Sequence, residues 1–121
     1  MIKIIITFLS YIFLLFNTSL SANDEKLRVG LLAPFSGEYK NLGESLLLST
    51  QLALAEIDND NIIIIPRDSG SNDKQKLNLA ITEIVDGGAK VIIGPMTSSS
   101  FKEVKKYKNI IFISLSNKQP K

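Results

Sequence analysis

At 121 residues, with a formal net charge of +2 and neither cysteine nor histidine, the chain excludes more chemistry than it announces. Without cysteine there is no disulfide, thiol nucleophile, thiolate metal site or lipid-modified thiol, so stability must come from a packed core. Without histidine the usual general base and the commonest metal ligand are missing, and the near-neutral balance gives no nucleic-acid footprint and no strongly basic membrane surface.

The chain opens as an address. Lys3 precedes an apolar block over residues 4–16, interrupted only by Thr7, Ser10 and Tyr11, and residues 17–22 are short and small-residue-rich. A basic start, an apolar middle and small residues at the end are the order of a secretory signal. A membrane-spanning helix wants about 20 apolar residues, more than this block offers. Residues 1–22 are expected to be a signal peptide cut after Ala22, or after Ser21, sending residues 23–121 to the periplasm.

Four short runs follow, at residues 27–33, 62–65, 91–93 and 110–113, each almost wholly apolar. Continuous rather than alternating apolar runs predict parallel strands covered on both faces. Pro34, Pro66, Pro95 and Pro120 each lie beyond the carboxyl end of one run. Proline cannot donate to a ladder, so the four mark strand exits on one sheet edge, the edge where open α/β folds bind ligands.

Helical patterns separate the runs. Over residues 43–57, Leu46, Thr50, Ala53, Leu54 and Ile57 recur at helical spacing while Glu44, Gln51 and Glu56 stay polar. Over residues 73–86, Leu77, Ala80, Ile81, Ile84 and Val85 make an apolar stripe. Ser71, Asn72 or Asp73 can cap its start, and Gly87-Gly88 can give a left-handed stop. A shorter helix is expected over residues 98–107, with Phe101 and Val104 facing inward. The order is β-α-β-α-β-α-β: an α/β, Rossmann-like parallel sheet with right-handed crossovers. The polar stretch 116–121 follows the last strand with no further element, so residues 23–121 are expected to be the front part of a longer protein.

The third exit carries the most chemistry. There Val91-Ile92-Ile93 breaks at Gly94-Pro95 and opens into Met96, Thr97, Ser98, Ser99 and Ser100. Hydroxyls and free backbone N–H groups at a strand-to-helix turn form a polar cup suited to a carboxylate. The first exit, residues 34–43, carries Ser36 and Tyr39 and leads into a helix start near Gly43 whose unpaired N–H groups can meet the same kind of anion. The plainer reading is a surface loop with a capping residue. At the second exit Arg67 and Asp68 are expected to pair with each other or with the surface. Two Ser-x-x-Lys spacings, Ser71 to Lys74 and Ser99 to Lys102, lack every companion motif of the serine enzymes that use that spacing. No phosphate loop, dinucleotide fingerprint or nucleophile elbow occurs. The residues point to a binding protein rather than an enzyme, with no cofactor.

In sequence order, residues 28–39 (RVGLLAPFSGEY), Gly43, the helix ending Ala55-Glu56-Ile57, residues 65–70 (IPRDSG), 86–95 (DGGAKVIIGP) and 113–117 (ISLSN) resemble the opening of a type I periplasmic binding protein. The leucine/isoleucine/valine-binding branch is the nearest. That resemblance implies two Rossmann-like lobes hinged about a cleft, with this chain supplying the first part of the N-terminal lobe. It implies that Ser98 binds a ligand carboxylate beside Met96 and Thr97, and that Ser116 and Asn117 border the ligand from the fourth exit. Lys118 stands where a threonine is usual, and Leu42 where an aromatic often lines the first loop. The implied role is capture of an amino acid or similar carboxylate for the membrane subunits of an ABC-type transporter, with no nucleic acid as partner. A sister branch, the penicillin-binding-protein activators, shares the fold and the Ile-Ser-x-Ser-Asn run. Its implied alternative is regulation of a peptidoglycan synthase by protein contact, and fold cannot separate the two.

Overall fold

The computed structural model describes residues 25–116, so the signal-peptide assignment, Asn117, Lys118 and Pro120 lie outside the described residues. The elements are β1 (Leu27–Ala33), α1 (Lys40–Ile57), β2 (Ile62–Asp68), α2 (Lys74–Asp86), β3 (Val91–Ile93), α3 (Ser98–Val104) and β4 (Ile111–Ile113). The strands form one sheet in the order β2-β1-β3-β4. All pairings are parallel, with Val29 opposite both Ile64 and Val91, and Val91 opposite Ile111. The chain first steps outward from β1 to β2 and then back across β1 to β3. Right-handed crossovers in opposite directions put α1 on one face and α2 and α3 on the other.

The expected elements are present, with instructive differences. Strand β2 runs through Pro66 to Asp68, so Pro66 lies inside a strand opposite Leu31 rather than beyond its exit. The sheet tolerates this because β2 is an edge strand, where a missing N–H need not break a ladder. Helix α1 starts at Lys40 instead of near Gly43. Of the three candidate caps for α2, Asp73 does the work, accepting from the N–H groups of Gln75 and Lys76 at 2.9 and 3.0 Å. Gly88, at φ +87°, supplies the left-handed residue after that helix, and α3 ends at Val104, short of Tyr107.

The core lies between the sheet and α2. Leu77, Ala80, Ile81 and Ile84 of α2 and Val104 of α3 pack on Leu32 and Ile92, with Phe101 and Phe112 against their margin. Each large aliphatic side chain buried here contributes on the order of 1.5–3 kcal/mol of transfer free energy. The opposite face meets the expectation of strands covered on both sides at β1, where Val29, Leu31 and Ala33 are buried, and departs from it at the margins. Ile111 and Ile113 of β4 are exposed, as are Ala53 and Ile57 of α1, while Leu46, Thr50 and Leu54 are half-buried.

Candidate functional site

Because the strands are parallel, their carboxyl ends share one edge, and the loops leaving it carry the expected site residues. At the third exit Gly94 has φ +113°, and a Cβ there would collide with the carbonyl oxygen of Leu32. Its N–H donates to the Ile113 carbonyl at 2.8 Å, and the Leu115 N–H donates to the Pro95 carbonyl at 3.2 Å. The third and fourth exits are thus tied side by side, which brings the Met96–Ser98 turn next to Ser116.

Thr97, extended at φ −112°, caps α3. Its Oγ1 accepts from the Ser100 N–H at 3.3 Å and donates to the Ser100 hydroxyl at 2.8 Å, and Ser99 Oγ lies 3.2 Å away. The hydroxyls of Ser99 and Ser100 therefore fold back on the cap. Ser98, half-buried, is the one member of the serine run whose hydroxyl makes no hydrogen bond among the described residues. Met96 and Ser116 are likewise half-buried on this rim.

The first exit is arranged differently. Gly43 is buried against Pro34, where a Cβ would collide with the Pro34 carbonyl oxygen, so α1 sits directly on the loop. The N–H groups of Lys40, Leu42 and Gly43 already donate to the carbonyls of Gly37 (3.3 Å) and Tyr39 (3.1 Å each). This helix start, expected to meet a carboxylate, keeps most of its N–H groups for its own turn. Tyr39 is exposed at the cap position and contributes no side-chain cap.

Ser36 belongs to a lock that joins the first exit to the second. Asp68 Oδ1 accepts from the N–H groups of Phe35 (2.8 Å) and Gly70 (2.9 Å), and Oδ2 pairs with Lys76 Nζ at 2.7 Å. Lys76 also donates to Ser36 Oγ at 2.8 Å, and the Ser71 hydroxyl donates to the Ser36 carbonyl at 2.9 Å. Partial burial pushes the Asp68 carboxyl up, but hydrogen bonds from Lys76, Ser36, Gly70 and Phe35 together outweigh it and hold the group far below the usual carboxylate range. Arg67 and Asp68 do not pair with each other: Arg67 Nε donates to Glu83 of α2 at 2.6 Å. Neither Ser-x-x-Lys spacing brings its members together, since Ser71 serves Ser36, Ser99 serves Thr97, and Lys74 pairs with Glu103 at 2.7 Å.

Sequence reasoning missed Lys76, although a signal was present. Lys74 and Lys76 both sit at the start of α2, where the helix dipole disfavours a cation. Each is stabilised there by a carboxylate from another element, Glu103 and Asp68 respectively. A cleft of about 170 Å³ opens between the starts of α2 and α3, lined by Asn72, Lys74, Leu77, Ser99, Ser100 and Glu103. Among the described residues no group of histidine, cysteine, aspartate or glutamate side chains is placed to hold a metal ion, and no helix is long and apolar enough to cross a membrane.

Residues 26–121 match the family model described as periplasmic binding protein. The chain belongs to that family. Membership places it on the periplasmic or extracytoplasmic side of the membrane. A solute-binding protein of an ABC transporter from R. palustris, in complex with 4-hydroxybenzoate, is similar in structure at a TM-score of 0.68 and 19% identity, over 75% of this chain and 27% of its own. A second one from R. palustris, in complex with benzoate, gives 0.63 and 27% identity over 74% and 27%. The LpoA C-domain from Haemophilus influenzae, described as a regulator of PBP1A, gives 0.61 and 22% identity over 78% and 29%. The chain thus spans little more than a quarter of the length of these structures. No curated protein matches it by sequence.

Proposed function

We propose that this chain serves as part of the N-terminal lobe of a solute-binding protein that captures a small carboxylate for an ABC-type transporter. The observation that carries the reading is at the third exit. Thr97 does the capping, so the Ser98 hydroxyl stays uncommitted on the rim while its neighbours fold back. A carboxylate there would be held by Ser98, with Met96 as apolar wall and Ser116 and Asn117 from the fourth exit. An amino acid is one such solute, and the benzoates bound by two solved relatives share the same head group. A second lobe would close the cleft, and closure would signal occupancy to the membrane subunits.

The test is a thermal-shift screen of the exported protein against L-leucine, other amino acids, benzoate and 4-hydroxybenzoate. A ligand at about 100 times its Kd should add about 2.7 kcal/mol. Ser98→Ala should then weaken binding by about 1–3 kcal/mol, because a charged partner loses its hydrogen bond.

The second reading is a regulator of a peptidoglycan synthase. Ile113-Ser114-Leu115-Ser116-Asn117 supports it, and so does the committed state of Ser36, which removes one of the expected ligand hydroxyls. Silence across the screen, with Ser98→Ala unchanged in every property, would favour it.

A further inference from the structure

Helix α1 is apolar on more sides than a surface helix needs. Residues 45–55, about three turns, carry no charge. The side turned to the sheet holds Gly43, Leu46, Thr50 and Leu54. Leu48 and Leu52 stand on the outward side, 57% and 63% exposed, and Ala55 continues them as a stripe at i, i+4 and i+7. Ser45 and Ser49 flank the stripe. Their hydroxyls donate back to the carbonyls of Asn41 and Ser45 at 2.8 and 2.9 Å, so neither asks for water. A helix that is apolar all round belongs against another element on each side.

Layers and charges together select what covers the stripe. Domains are built from two, occasionally three, packed layers, and α1, the sheet and the α2–α3 pair already make three. A further element over the exposed Ile111 and Ile113 would lie beside α1 in its own layer, not outside it. The outward stripe is left for another molecule. The charges at the two ends of α1 differ. At its start Lys40 pairs with Glu44 at 3.5 Å, and Glu38 is left over. At its end Glu56, Asp58 and Asp60 meet the negative pole of the helix dipole, with no basic residue in the last turn. Beside them, ahead of β1, Glu25 and Lys26 cancel in net charge. Among the described residues none of the acids at this end has an ion-pair partner.

A second copy of the chain is the poorer fit. Antiparallel pairing of two α1 helices would bring the start, net acidic through Glu38, against Glu56, Asp58 and Asp60, and parallel pairing would oppose those acids with themselves. An anionic bilayer is repelled for the same reason. The complement of this face is an apolar helix stripe with cations at one end.

We infer that the outward face of α1 docks a helix of another protein through Leu48, Leu52 and Ala55, with lysine or arginine of that helix set over Glu56, Asp58 and Asp60. The inference does not rest on solute binding. The test uses the full-length exported protein and two synthetic helical peptides with the same leucine pair, one with a lysine-rich end and one with a glutamate-rich end, read by fluorescence anisotropy. The lysine peptide should bind at least about tenfold more tightly, since several exposed charge pairs change sign together. Leu48→Gln/Leu52→Gln should weaken it at least about tenfold, and Asp58→Asn/Asp60→Asn several-fold. Leu79→Gln, at an exposed leucine of α2, should leave it unchanged. Circular dichroism verifies the fold, and Leu52→Gln alone, with a several-fold loss, serves if the double variant unfolds. No binding, equal binding of the two peptides, or binding indifferent to Leu48 and Leu52 overturns the inference. So does a dimer in light scattering that Leu48→Gln/Leu52→Gln dissociates, because the occupant is then a second copy. Failure of a maleimide to label Leu52→Cys, in a chain without native cysteine, overturns it as well, because the protein then covers the stripe itself.

Discussion

The two faces of the sheet are built to different standards. Under α2 and α3, Leu32, Leu77, Ile81, Ile84, Ile92 and Val104 are at most 2% exposed. On the α1 face the central strand is covered, with Leu31 and Ala33 of β1 fully buried, but of the helix itself only Gly43 is buried, and Leu52 on that helix is 63% exposed, as is Ile111 on β4. An apolar surface that closes on itself supplies stability, whereas one that stays open marks where something else can pack. The difference teaches that the α2 face is closed by an interlocking set of side chains, whereas the α1 face is closed over β1 and open at its margins. There α1 is positioned by a close backbone approach at Gly43 and by apolar packing on β1.

Ile84→Ala should break the strong face, costing about 2–5 kcal/mol in chemical denaturation because the cavity it leaves is walled by β1 and β3. Leu52→Ala on the open face should stay within about 0.5 kcal/mol. Equal costs at the two positions would erase the distinction between the faces.

The lock between the first two exits should give the next largest effect. Asp68→Asn should cost about 1–3 kcal/mol at neutral pH, since Lys76 and two backbone N–H groups lose a charged acceptor. The sign with pH follows from the lowered titration of Asp68 in the folded chain. Its stabilisation is complete above the unfolded value of about 4 and drains away as the pH falls below it. The gap between wild type and Asp68→Asn should therefore narrow between pH 7 and about pH 3 in denaturant midpoints. A constant gap would assign the loss to shape rather than charge. Smaller still, Thr97→Ala should cost about 1 kcal/mol by uncapping α3, with Val104 still anchoring its other end.

What was legible in the sequence divides along physical lines. The strands and α2 could be read because their signals are local: unbroken apolar runs, a clean stripe from Leu77 to Ile84, an Asp73 cap and a Gly87-Gly88 stop. Pro66 misled because its tolerance depends on β2 being an edge strand, and strand order has no local mark. Gly43 reads as a helix opener, yet it is needed for its contact with Pro34, a residue from another segment. Of the site, the third-exit turn was legible as a polar cluster, but the division of labour between Thr97 and Ser98 was not, since both are hydroxyls at adjacent positions. The tie of Asp68 to Lys76 and Ser36 required β2 to lie beside β1.

The strand order β2-β1-β3-β4 has one last consequence. From β1 the chain departs toward the α1 face, and from β3 it departs toward the α2 face. The Ser36 loop and the Ser98 loop, leaving neighbouring strands, must therefore diverge, and a crevice between them is a product of the wiring alone. Side chains at its lips can be exchanged without refolding anything beneath them. A lobe wired this way can change what it recognises while its core stays the same, and under the proposed function selectivity would be set by lip residues such as Met96, Ser98 and Ser116.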